Sequence, residues 1–184
     1  GRTMRSKKLV LFLSVLILSI SMVSTTLFAA EKEVKIGVLY PLSGALATIG
    51  RDLQRAAELT AEELVNNKSP NVDVQMAKWG GIPSLGGAKI KLIFADTRGE
   101  PDRGADLAKR LIEDDKVVGL MGAYQSGVTK TVSTVAERYG IPMINDSSTS
   151  PDLTRRGFKW FWRTTPHDEY FDKDLFELLK GLTE

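Results

Sequence analysis

Three features of the sequence predict a doubly wound α/β fold. Short apolar runs alternate with stretches whose apolar residues recur at helical spacing. One such unit follows another every 20 residues or so, up to about 35, the length of a strand plus a crossover helix. Glycines, prolines and Asn/Ser clusters separate the units. Strand and helix in regular alternation place helices on both faces of a parallel sheet. Right-handed crossovers then wind the chain outward from a central strand.

The elements follow in order. Residues 34–40 form an apolar run after a charged lead and read as the first strand. Leu53, Ala56, Ala57, Thr60, Ala61, Leu64 and Val65 share one helical face, so residues 48–66 read as an amphipathic helix ended by Asn66-Asn67-Lys68-Ser69-Pro70. Residues 71–88 hold Trp79, four glycines and several turn signals, and read as a long connection or a small hairpin. Residues 89–96 give the second strand. Pro101 opens a helix whose face is Ala105, Ala108, Leu111 and Ile112. Residues 117–121 are the third strand. Val128, Val132, Val135, Ala136 and Tyr139 form the next helical stripe, closed by Gly140. Residues 142–145 and 159–163 are two further short strands. Phe171, Leu175, Leu178, Leu179 and Leu182 make a final stripe.

Composition narrows the chemistry. The 184 residues contain no cysteine and one histidine, which excludes disulfides, thiolate zinc sites, iron–sulfur clusters and His-rich metal centres. The net charge of +2 is unevenly placed. Arg2, Arg5, Lys7 and Lys8 are the only charges in residues 1–30, and residues 31–184 carry 21 basic against 23 acidic side chains. A mildly acidic body argues against nucleic acid as a partner. The basic start, the apolar stretch from Leu9 and the small residues Ala29 and Ala30 read as a secretory signal peptide over residues 1–30. A retained membrane anchor is the alternative, because the stretch is long enough to span a bilayer.

In doubly wound folds, ligands bind beyond the carboxyl ends of the strands. The loops there are residues 41–50, 97–100, 122–126 and 146–152. None carries a dinucleotide fingerprint. The segment from Gly122 to Gly127 has phosphate-loop spacing, but Val128-Thr129 stands where Lys-Ser/Thr is required. Ser126 lacks the glycine of a nucleophile elbow two residues upstream. A serine hydrolase using Ser126 and His167 is the enzymatic alternative. Asp96 reads as an aspartate that hydrogen-bonds its own turn. Gln125-Ser126-Gly127 and the segment from Asp146 to Pro151 each open a helix with hydroxyls and unpaired N–H groups. Such ends favour anions such as carboxylates. The plainer reading is that Ser126, Ser147 and Thr149 cap their helices.

A set of motifs points further. It comprises Val34-Lys35-Ile36-Gly37-Val38, Pro41-Leu42-Ser43-Gly44, Gly50, Ala95-Asp96, and Tyr139-Gly140-Ile141-Pro142-Met143-Ile144. It continues with Ser148-Thr149-Ser150-Pro151-Asp152-Leu153-Thr154, Gly157-Phe158 and Phe161-Trp162-Arg163-Thr164-Thr165. In order and spacing these resemble the type I periplasmic solute-binding proteins of ABC importers, of the branched-chain amino acid type.

The resemblance implies a two-lobed clamshell with the ligand between the lobes, no cofactor or metal, and no catalysis. It implies that Ser126 and Thr149 hold a ligand carboxylate through hydroxyl and backbone N–H. The carbonyl of Ser147 would hold the ligand ammonium, with Tyr124 and Gln125 lining the same pocket. Asp146 and Ser148 make that pocket more polar than the usual version. Ile49 stands where an aromatic residue often covers an amino acid. The implied setting is the periplasm, the implied partners a small-molecule ligand and an ABC permease in the inner membrane. The alternative is the extracellular sensing domain of an anchored receptor.

Family members run to roughly twice this mature length, as two ordinary domains do. Residues 31–165 are therefore expected to be the N-terminal lobe, and residues 166–184 the crossover and first helix of a truncated second lobe. Alone, this chain is expected to bind ligand poorly, because closure buries a ligand from both sides. The stripe from Phe171 to Leu182 is expected to stay exposed, pack back on the lobe, or drive association.

Overall fold

Helical and strand periodicity resolve into five strands and four α-helices in the computed structural model, which describes residues 32–182; the leader proposed for residues 1–30 lies outside them. The order is β1 (Glu33–Tyr40), α1 (Ala47–Glu58), β2 (Lys89–Asp96), α2 (Pro101–Glu113), β3 (Gly119–Gly122), α3 (Ser126–Tyr139), β4 (Met143–Asn145), β5 (Phe161–Arg163) and α4 (Asp168–Gly181). Proline occupies the first turn of α2, where a missing N–H costs nothing. Gly140 ends α3 in the left-handed conformation at φ 65°, as its place after Tyr139 suggests.

Two segments differ from the expected outline. The helix read over 48–66 is α-helical only to Glu58, and Leu59–Asn66 is wound as a π-helix. Its inward residues Leu53, Ala57, Ala61 and Val65 recur every fourth residue, slower than the α-helical 3.6, and a wider turn keeps them on one face. Residues 71–88 are a connection rather than a hairpin. They hold two 3₁₀ turns, Gln75–Lys78 and Pro83–Leu85, and one antiparallel bridge between Ile82 and Ala88.

All strand pairs are parallel, and the sheet order is β2-β1-β3-β4-β5. The chain moves from β1 outward to β2, then crosses back to place β3 on the other side of β1. The switch point therefore lies between the carboxyl ends of β1 and β3. Register keeps those ends level: Tyr40 pairs with Asp96, Leu39 with Gly122, and Asn145 with Arg163.

One sheet face is sealed. Leu39, Leu120, Met143 and Phe161 pack against Ala108 and Leu111 of α2 and Val128, Val132 and Ala136 of α3. A short 3₁₀ turn, Pro151–Leu153, closes this layer through Leu153. Arg156 locks it further. Its guanidinium donates to the carbonyls of Leu153 and Lys130 at 3.2 and 3.1 Å and to Ser133 Oγ at 2.7 Å. It also stacks over Phe158 and Phe161, 4.2 and 5.5 Å from their ring centres. Among the described residues, the opposite face is covered on its β1 and β2 side, by α1 and the π-wound segment. Between them and the sheet runs a mostly apolar groove of about 290 Å³, whose lining includes Ile36, Leu53, Ala57 and Met121 together with Tyr40 and Asp146. Ile144 and Trp162, cross-strand neighbours next to Met121, are 48% and 50% exposed.

Candidate functional site

The carboxyl edge of the sheet gathers three loops, and hydrogen bonds to side chains fix each of them. The first loop is held by Asp96, the last residue of β2. Its carboxylate accepts from the backbone N–H groups of Leu42 at 2.9 Å and Ser43 at 3.2 Å, and from the Ser43 hydroxyl. It also accepts from Arg98 N–H at 3.0 Å, the local turn bond expected from sequence. Partial burial pushes this carboxyl up, but the bonds from Ser43, Arg98 and Leu42 outweigh it and hold Asp96 below the ordinary carboxylate value. Asp96 is thus a brace across the first loop.

A depressed native pKa adds stability above the unfolded value and forfeits it as pH falls through the native one. Asp96→Asn is expected to cost about 1–2 kcal/mol at neutral pH, the loss of hydrogen bonds to a charged, partly solvated acceptor. The gap to the parent chain should narrow as the medium is acidified into the carboxylate range. Urea unfolding followed across pH checks this; a gap constant with pH would contradict it.

The other two loops are tied together by a buried polar hub. Asn145, fully buried at the end of β4, donates its amide N–H to the carbonyls of Gly122 and Ala123 at 3.1 and 3.0 Å. Its carbonyl accepts Ser148 N–H at 3.0 Å. Ser148 Oγ lies 2.7 Å from the Ala123 carbonyl, 3.0 Å from that of Tyr124 and 2.6 Å from Thr129 Oγ1. Ser148, a candidate pocket residue, is 2% exposed, and its hydroxyl is engaged in this hub. Asn145 and Thr129 escaped the sequence reading. The signal for Asn145 was an amide ending an otherwise apolar strand.

Above this hub, Ser126 and the Thr149–Ser150 turn meet. Ser126 is the first residue of α3, and no side chain caps that helix. Its hydroxyl accepts the N–H of Ser150 at 3.3 Å, so it bridges to the β4–β5 loop rather than closing its own first turn. The Thr149 carbonyl accepts from Asp168 N–H at 3.0 Å. The first N–H groups of α3, which a helix cannot satisfy internally, therefore open beside two partly buried Ser/Thr residues.

The remaining candidates are placed as follows. Ser147 Oγ donates to Asp146 at 2.7 Å, and the other Asp146 oxygen accepts from the Tyr40 hydroxyl. Burial, and then the charge of Asp146 and the hydrogen bond to it, push the Tyr40 phenol up, so it stays a neutral donor. Tyr124 and Gln125 are half-buried in the β3–α3 loop. The Gln125 amide nitrogen packs against Gly99, and its amide oxygen is buried without a partner among the described residues. Ile49 sits partly exposed in the first turn of α1. His167 stacks on Tyr170 with ring centres 4.3 Å apart, and no hydrogen bond joins it to Ser126.

In parallel α/β folds, ligands bind in the crevice beyond the carboxyl ends of the strands, where these loops lie. Residues 33–170 match the model of the periplasmic binding protein family, and the chain belongs to that family. Its likeness within the family is to the type I, branched-chain amino acid group. It is 36% identical over 140 residues to Leu/Ile/Val-binding protein homolog 3 of Brucella melitensis, covering 76% of this chain and 34% of that protein. Among solved structures it is similar to the branched-chain amino acid transporter substrate binding protein LivJ of Streptococcus pneumoniae in complex with isoleucine. That match has a TM-score of 0.62 and 29% identity, and covers 74% of this chain and 35% of the other. The leucine binding protein LivK of Thermotoga maritima gives a TM-score of 0.60 and 26% identity over 74% of this chain and 34% of its own. The chain thus spans about a third of the length of the relatives it matches.

Proposed function

We propose that this chain supplies one lobe of an extracytoplasmic solute-binding protein of an ABC importer. It captures an amino acid, or a related small carboxylate or amide, for delivery to an inner-membrane permease. One observation carries this reading: the Ser126 hydroxyl and the Thr149–Ser150 turn converge on the open N-terminus of α3, beyond the carboxyl ends of β3 and β4 and next to the sheet's switch point. That arrangement offers backbone N–H groups and hydroxyl donors to a carboxylate. Asp146, oriented by Tyr40 and Ser147, adds a negative group at the same edge for a ligand's ammonium end. Likeness to leucine- and isoleucine-binding proteins supports the amino acid class. The process needs no covalent step; capture and release suffice.

A single lobe contacts one side of a ligand, so binding by this chain is expected on the order of millimolar rather than micromolar. Isoleucine and 2-methylbutylamine, which lacks the carboxylate, make a discriminating pair. Amide resonances of residues 124–127 and 147–150 should shift with isoleucine and hardly with the amine. Ser126→Ala and Thr149→Ala should each weaken the isoleucine response about tenfold, one charge-assisted hydrogen bond's worth. Equal shifts with both compounds, or an unchanged response in both variants, would overturn the carboxylate reading.

A further inference from the structure

A loop that binds an anion through its backbone must have its N–H groups aimed, and the aim is set from behind. In a planar trans peptide the carbonyl and the N–H that follows it point in opposite directions. A donor that grips the carbonyl therefore fixes where the N–H points.

Behind the β4–β5 loop runs one continuous segment, residues 163–168, from the last residue of β5 to the first of α4. It donates to four carbonyls of that loop. Thr164 N–H donates to Asn145 at 3.0 Å, the Thr165 hydroxyl to Ser148 at 3.5 Å, and Asp168 N–H to Thr149 at 3.0 Å. The Arg163 guanidinium donates to Ser150 at 2.8 Å. Arg163 and Thr165 are half-buried, while Thr164 and Pro166 are exposed, the alternation of an extended strand with one side against the loop.

Each bond constrains one peptide. The Ser148–Thr149 peptide has its carbonyl on Thr165, which turns the Thr149 N–H away from the segment. The Thr149–Ser150 peptide is held at both ends, its carbonyl by Asp168 and its N–H by the Ser126 hydroxyl at 3.3 Å. The Ser150–Pro151 peptide has no N–H, and Arg163 fixes its carbonyl instead. That bond is the shortest of the four and the one with a charged side-chain donor, which makes it the strongest.

We infer that Arg163 is a positioning residue: its guanidinium clamps the Ser150 carbonyl and, together with Thr165, presets the Thr149–Ser150 turn for a ligand carboxylate. The inference rests on the ligand reading above. Both side chains act through the turn and not on the ligand. A preset turn is competent nearly all the time; a loosened one is competent for a fraction of it, and apparent affinity falls by that fraction.

Isoleucine titration of the 184-residue chain, followed by amide resonances, tests this. Arg163→Met keeps an apolar stem and removes the donor. It is expected to raise the isoleucine dissociation constant about tenfold, the effect of a turn competent one-tenth of the time. Backbone amide order parameters of Thr149 and Ser150 should fall before any ligand is added, while those of β1 stay as they are. Arg163→Lys, which restores a charged donor, should recover most of the affinity. Thr165→Val removes a longer bond and should weaken binding about twofold, and it decides the matter if Arg163→Met does not fold. An Arg163→Met chain that is less stable yet binds isoleucine as the parent does overturns the inference, for Arg163 is then only a strut of β5. So does weakened binding with unmoved order parameters, which would make Arg163 a direct ligand contact. A parent chain with no isoleucine response overturns the ligand reading itself, and this inference with it.

Discussion

Gly50→Ala is expected to destabilise the chain by about 3 kcal/mol and to displace the first loop, although it places the best helix former inside α1. An added Cβ at Gly50 would lie 2.1 Å from the Pro41 carbonyl oxygen and 2.6 Å from its carbon. Those atoms are backbone, so no rotamer change relieves the clash. Pro41 is buried, and the residues after it are pinned by Asp96, so the loop has little room to retreat. Either α1 lifts from the sheet edge or the loop shifts. The gain in helix propensity, about 1 kcal/mol, is smaller than either cost. Thermal unfolding reads the loss, and the amide resonances of Leu42 and Ser43 read the displacement. A more stable variant with unmoved resonances would show that α1 does not press on the loop.

Asn145→Ala is expected to cost roughly 3–4 kcal/mol, or about 10 °C in Tm for a domain of this size. The substitution strips a donor from two buried carbonyls, Gly122 and Ala123, and an acceptor from Ser148 N–H. Asn145, Thr129 and Ser148 are all buried, so the groups left behind are cut off from bulk water. Neighbours of the hub should lose their hold together. Ser148→Ala should be milder alone, and the two changes should be less than additive, because they remove shared bonds. A double-mutant cycle by chemical denaturation measures that coupling. Strict additivity would mean that the network is a set of unrelated bonds.

The regular layers were legible because burial imposes periodicity. The strand read over 34–40 and the stripe of Val128, Val132 and Ala136 sit where the sequence places them. The third strand starts two residues later than read. Val117 N–H bonds back to the Leu111 carbonyl, so Val117 still belongs to the turn out of α2 although it is buried. Apolar character reports burial, not ladder pairing, and the two part company at an element's edge. The π-wound end of the first helical stretch was latent in its four-residue spacing.

The site was legible in outline only. Helix starts, glycines and hydroxyls mark the loops that face a ligand. Nothing in the order of Ser147, Ser148 and Thr149 tells which of the three turns inward. That depends on two carbonyls some 24 residues upstream, those of Ala123 and Tyr124, which accept from the Ser148 hydroxyl. The brace from Asp96 to Ser43 spans 53 residues and was likewise hidden; only its local bond to Arg98 could be foreseen.

The sheet tapers, with eight residues in each of β1 and β2 against four in β3 and three in each of β4 and β5. One half of the lobe is therefore laced by a long ladder, the other by a few rungs and by Asn145 and Arg156. Solvent deuterium should enter unevenly. Inner amides of β1 should be the last to exchange, while those of β4 and β5 open together whenever the side chains that stitch them let go.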